Sequence, residues 1–258
     1  MNGQLPLSIS PPAGVAALVR PVFSQVPWRV WEVLGILALF SASQILAGLT
    51  LHPLLGGGEE PRLVLLLPGV VAVSHGVGWL LAVGLVKWRY RRPFGGALAF
   101  RRYPLRILVR IGLAAIVVYI VALLPALVFP QPADHSNLFL EIFKAGGPTL
   151  LLLLVIAVLL APLLEEVLFR GLLFPALRRR FRFWPAAVLT TVLFTGLHFT
   201  QTGTYWPAVE GIFICGMALA WLRERTGSLW PSVAFHMGFN STPFLAWVIA
   251  QAAGYNLG

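Results

Sequence analysis

A chain of 258 residues with 58% hydrophobic and only 11% charged side chains has too little charge to cover a soluble globular surface, where about a quarter of residues carry charge. Lipid is the solvent such a surface suits, so a soluble fold is excluded. The net charge of +10 does not point to nucleic acid, because the cations stand in short clusters between apolar stretches and no base-reading motif accompanies them.

Residues 1–27 are Pro- and Ser-containing and weakly patterned, and read as an interfacial or mobile lead-in. They lack the basic region, apolar core and cleavage site of a secretory signal, so the first strong apolar run is expected to remain as an anchor. A membrane-spanning helix needs about 20 mostly apolar residues. Stretches at roughly 28–50, 62–86, 106–129, 148–174, 185–201, 206–222 and 229–251 qualify. The fifth and sixth are short, and the turn between them, Thr200–Tyr205, is polar and contains Gly203. No internal repeat or long linker divides the chain. The pattern predicts an all-α fold, a polytopic membrane helix bundle of about seven to eight transmembrane helices. Residues 28–147 form its N-terminal transmembrane helices and 148–258 its C-terminal transmembrane core.

Arginine placement sets the expected orientation. The segments Lys87–Arg106, Arg178–Arg182 and Arg223–Arg225 are basic, whereas Leu51–Pro61 and Pro130–Gly147 carry Glu59, Glu60, Asp134 and Glu141 with few cations. Lys and Arg are held on the cytoplasmic side, which puts the N-terminus inside and the C-terminus outside. The Arg-, Ala- and Gly-rich composition points to a bacterial inner membrane.

Ionisable side chains in lipid cost roughly 2.5 to 3.5 kcal/mol each and persist where they face a partner or a water-filled cavity. The informative residues are therefore His75, Glu165, Glu166, Arg170, His198, Glu210, His236 and Asn240. Glu166 and Arg170 are four apart and can pair on one helix face. Glu165 points about 100° away and has no obvious cationic partner in the sequence, which suits a general base; the alternative is that both glutamates only form helix-to-helix ion pairs. If the fourth span continues through Arg180 and turns near Arg182 and Trp184, Glu165 and His198 fall on antiparallel helices within roughly 3 Å in depth, where they can share one water. His236 and Asn240, also i,i+4, can donate to an oxyanion or make interhelical hydrogen bonds. His75 and Glu210 stand alone and read as interhelical hydrogen-bonding residues. Phe194 and Cys215 read as packing residues. His52 and His135 fall in loops without a visible partner.

Three motifs in order resemble the CPBP family of intramembrane proteases, the CAAX-processing and bacteriocin-processing group. EExxxR stands as Glu165, Glu166 and Arg170, FxxxH as Phe194 and His198, and HxxxN as His236 and Asn240. The resemblance covers roughly residues 148–251; the first three spans match only in being apolar. It implies that Glu165 and His198 activate the hydrolytic water, that His236 and Asn240 stabilise the oxyanion, and that Glu166 and Arg170 shape the site. No HExxH pattern is present. A metal-free, glutamate-type mechanism without a cofactor is expected, although Glu165, His198 and His236 also form a His₂Glu set able to ligate zinc.

The expected partners are the lipid bilayer and a membrane-tethered protein or peptide substrate cut at an internal peptide bond, in C-terminal processing or protein sorting. Two other classes compete. A non-catalytic scaffold or immunity protein of the same fold has no chemical need for this set of groups. A transporter usually shows internal repeats.

Overall fold

In hydrocarbon no water satisfies a free N–H or C=O, so apolar runs of this length pair their backbone groups internally and become helices. The computed structural model describes residues 26–54, 60–131, 147–203 and 205–254, together with Phe23 and Phe143. Glu59, Asp134, His135, Glu141, the side chains of His52 and Glu60, and most of the N-terminal lead-in lie outside the described residues.

The described chain is all-helical. Helix α1 spans Val30–Leu54 and α2 Glu60–Val83, the latter extended by a π-helical turn, Gly84–Arg89. A short α3, Phe94–Ala97, precedes α4, Leu105–Ala122, and α5, Leu124–Val128. The fourth span is one long interrupted helix: α6 Gly147–Val155, a π segment Ile156–Leu160, α7 Ala161–Glu166, a second π segment Val167–Leu173, and α8 Phe174–Arg178. Then follow α9 Phe183–Leu197, the single turn α10 Phe199–Thr202, α11 Trp206–Thr226 and α12 Trp230–Ala252. Gly203, in the predicted polar turn, has φ of +53°, a conformation that glycine adopts without steric cost.

Among the described residues, four helical stretches are long and apolar enough to cross a membrane: Val30–Leu51, Leu67–Arg89, Leu105–Val128 and Leu150–Arg178. Phe183–Leu197 is a shorter apolar helix. Helices α11 and α12 are 21 and 23 residues long, but Glu210, Arg223 and Glu224 dilute the first and His236 and Asn240 the second. Together they make a polytopic helical membrane bundle.

Small residues set how closely the helices approach. Packing within a membrane rests on van der Waals contact, which small side chains maximise. A Cβ on Gly216 of α11 would stand 2.6 Å from Thr191 Cγ2 of α9. One on Gly238 of α12 would overlap the Gly112 carbonyl of α4. Gly216 thus seats α11 against α9, and Gly238 seats α12 against α4.

One end of the bundle is tied by cations. Arg89 Nε donates to Glu32 Oε1 at 2.6 Å, and Arg178 makes a two-pronged pair with Glu224 at 2.8 and 2.7 Å. Arg179 Nη1 donates to Val26 O at 2.9 Å, and the Trp28 indole N–H donates to Leu172 O at 2.9 Å. At the close of the lead-in, Phe23 and Val26 are buried, and Phe23 meets Phe174 edge-on. Arg223, which the charge pattern places in a basic loop, is instead a buried residue of α11.

Candidate active site

Glu165 and Glu166 sit on the single α-helical stretch between the two π segments. A π segment adds a residue to the turn and so changes which face the following side chains present. Pro162 sits in the first turn of α7, where a missing N–H is tolerated. The two glutamates then take different environments, as adjacent helical positions must.

Glu166 points into the protein. Its Oε1 accepts from Arg170 Nη1 at 3.0 Å and from His236 Nδ1 at 3.0 Å. Arg170 is fully buried, and its Nη2 donates to Gly216 O at 2.9 Å. The predicted i,i+4 pair is therefore present and extends to α12. A carboxylate only accepts, so His236 carries a hydrogen on Nδ1 and presents Nε2 to the other side.

Glu165 faces that other side. Its Oε2 lies 3.6 Å from His236 Nε2 and 3.8 Å from His198 Nε2, and this buried oxygen has no hydrogen-bond partner among the protein groups. His198, at the C-terminus of α9, points Nδ1 at Phe194 O, 2.8 Å away. A carbonyl cannot donate, so Nδ1 again bears the hydrogen and Nε2 offers its lone pair toward Glu165. The sequence predicts Glu165 and His198 at matched depth on antiparallel helices, and the fold places them so.

Phe194 is more than packing. Its ring centroid is 4.6 Å from the Arg170 guanidinium carbon, 4.6 Å from the His198 ring and 5.6 Å from the His236 ring. It packs against both imidazoles and covers the cation with its π face. The signal was its spacing of four from His198.

Asn240 is placed differently. Its Nδ2 donates to Ala157 O at 3.0 Å, in the first π segment, eight residues before Glu165 and so about 12 Å away along a helix. Of the two roles its sequence position allows, the interhelical hydrogen bond is the one seen. Arg223 was missed as a site-supporting residue; its Nε donates to Arg170 O at 3.1 Å. His75 does not make the interhelical hydrogen bond expected of it: Nε2 is buried and unpartnered, and the ring meets Phe40 of α1 edge-on at 5.8 Å. Cys215 is buried, as expected.

The donors Glu165, His198 and His236 are chemically those of a catalytic zinc site, and both imidazoles are oriented through Nδ1 as metal-bound histidines are. Bonds of about 2.0–2.2 Å in a tetrahedral site bring neighbouring donors to about 3.3–3.5 Å, shorter than the 3.6 and 3.8 Å seen. Among the described residues no group of three or more His, Cys, Asp or Glu side chains is positioned to hold a metal ion. The residues as placed do not fit one, and no step below uses it.

A helical membrane bundle with carboxylates and imidazoles converging from three of its helices belongs to the class of intramembrane enzymes. The family model for type II CAAX prenyl endopeptidases, Rce1-like, matches residues 147–242. The chain belongs to this protease family. It is also 32% identical over 168 residues to an uncharacterised 24.3 kDa protein of Escherichia coli, an overlap covering 64% of this chain and 75% of that protein. No solved structure matches the chain.

Proposed function

We propose that this protein is an intramembrane endopeptidase that hydrolyses a peptide bond of a membrane-tethered protein with a water activated by Glu165 and His198. The observation that carries the reading is the buried, unpartnered Glu165 Oε2 with two imidazole Nε2 atoms at 3.6 and 3.8 Å. Those separations exceed a direct hydrogen bond and suit a bridging water.

In this mechanism the water donates one hydrogen to Glu165 and the other to His198 Nε2, which aims its lone pair. Glu165 takes the proton as the water oxygen attacks the scissile carbonyl, forming the C–O bond of a tetrahedral intermediate. His236, its Nδ1–H held by Glu166, acts here as the imidazolium, with a hydrogen on both ring nitrogens, and donates from Nε2 to the developing oxyanion. When the C–N bond breaks, Glu165 returns its proton to the leaving amine. Arg170 pairs with Glu166 and fixes the carboxylate that holds His236. Each group thus has one task set by the contact on its far side.

The basic end of the bundle faces the cytoplasm of a bacterial inner membrane, with the N-terminus inside and the C-terminus outside. The substrate class is a membrane-tethered protein undergoing C-terminal processing or sorting. The test is a comparison of protein termini in cells carrying the wild-type chain or Glu165→Gln at equal abundance. A new terminus that depends on Glu165, and its cleavage by the purified protein, support the reading. A Glu165→Gln variant that restores every cellular phenotype favours a scaffold instead.

A further inference from the structure

Beyond Pro148 in its first turn, the helix that carries both glutamates contains Pro162 and Pro175, each just past the end of a π segment, and each of these two leaves one carbonyl without its backbone donor. In the first π segment the Ala161 N–H bonds Ile156 O, an i to i+5 step. The next donor in that register, for Ala157 O, is residue 162. Pro162 has no N–H. In the second, the Phe174 N–H bonds Phe169 O in the same step. The next donor, for Arg170 O, is residue 175, again a proline.

A buried carbonyl without a partner is costly, and here each receives a side chain from another helix. Asn240 Nδ2 of α12 donates to Ala157 O at 3.0 Å. Arg223 Nε of α11 donates to Arg170 O at 3.1 Å. The two sites lie on opposite sides of Glu165 and Glu166. Arg223 is 1% exposed, and its guanidinium carbon lies 5.0 Å from the Phe23 ring centroid, so it is fixed from both faces.

We infer that Asn240 and Arg223 are positioning residues, which replace the backbone donors lost at Pro162 and Pro175 and thereby hold the two π segments that aim the glutamate pair. Asn240 acts on the helix from its Ala157 end. Arg223 locks the turn from which Arg170 reaches Glu166. The proline and its distant donor form one unit in each case, so the phase of the helix at Glu165 is set by two interhelical hydrogen bonds. The consequence for catalysis rests on the endopeptidase reading; the pairing itself does not.

Because the donor is needed only where the proline stands, restoring the backbone N–H must relieve its loss. Asn240→Ala is expected to lower kcat about tenfold, the size of one hydrogen bond, with KM within about twofold. Adding Pro162→Ala to that variant should recover most of the loss, since residue 162 regains an N–H. Arg223→Met and its double variant with Pro175→Ala should behave the same way. Unfolding midpoints in detergent, which need no substrate, should show the same two rescues. If each double variant is as impaired as its single parent in both readouts, the inference is wrong; an Asn240 that donates to the oxyanion gives that result. A wild-type protein that cuts nothing sinks the endopeptidase reading, while the unfolding midpoints still decide this one.

Discussion

Glu166 Oε1 stands 3.0 Å from His236 Nδ1 and the same distance from Arg170 Nη1. One carboxylate oxygen therefore satisfies a guanidinium from its own helix and orients an imidazole from another. The arrangement follows the logic by which a buried carboxylate orients a catalytic histidine elsewhere. It also leaves the neighbouring glutamate, Glu165, as the carboxylate turned toward both imidazole Nε2 atoms.

That division of labour separates two adjacent glutamates experimentally. Glu165→Gln and His198→Ala are expected to lower kcat by about 10²–10⁴-fold, the contribution of a positioned general base. Both variants should insert and elute from size exclusion as the wild type does. Full activity in both would remove Glu165 and His198 from the chemistry.

Glu166→Ala should instead unfold the protein readily. It strands the fully buried Arg170 without its carboxylate, a loss of about 3–5 kcal/mol when one member of a buried pair is removed. Denaturant titration in detergent reads this directly. Glu165→Ala, which breaks no direct ion pair at hydrogen-bonding distance, should shift the midpoint far less. Equal shifts for the two would contradict the assignment.

Gly216→Ala places a methyl 2.6 Å from Thr191 Cγ2 and should destabilise by about 1–3 kcal/mol through overpacking. The substitution also pushes away the Gly216 carbonyl that accepts from Arg170, so activity should fall with it. Thr191→Ser in the same chain removes the methyl in the way and should restore both. No recovery in a double-mutant cycle would place the cause elsewhere.

Metal dependence has a direct assay. Because Glu165 stands 3.8 and 3.6 Å from the two imidazole nitrogens, wider than tetrahedral zinc bonds set, incubation with a strong chelator followed by gel filtration should leave the cleavage rate unchanged. Activity lost on chelation and regained with one equivalent of zinc would overturn the metal-free mechanism.

The sequence by itself determined the membrane bundle, its seven apolar stretches, the Glu166–Arg170 pair and the facing of Glu165 with His198. These follow from counts: hydrophobic length sets a span, a spacing of four sets a helix face, and equal distances from a turn set depth. Only the tertiary structure decided that Glu166 holds His236, that Phe194 packs against both imidazoles, and that Asn240 and Arg223 reach the carbonyls left without a donor by Pro162 and Pro175. The hydrogen bonds among these join residues far apart in the chain: 70 positions for Glu166 and His236, 53 for Arg170 and Arg223, and 83 for Ala157 and Asn240. The register of a π segment and the approach of two helices at a glycine select them, and neither is a property of local spacing.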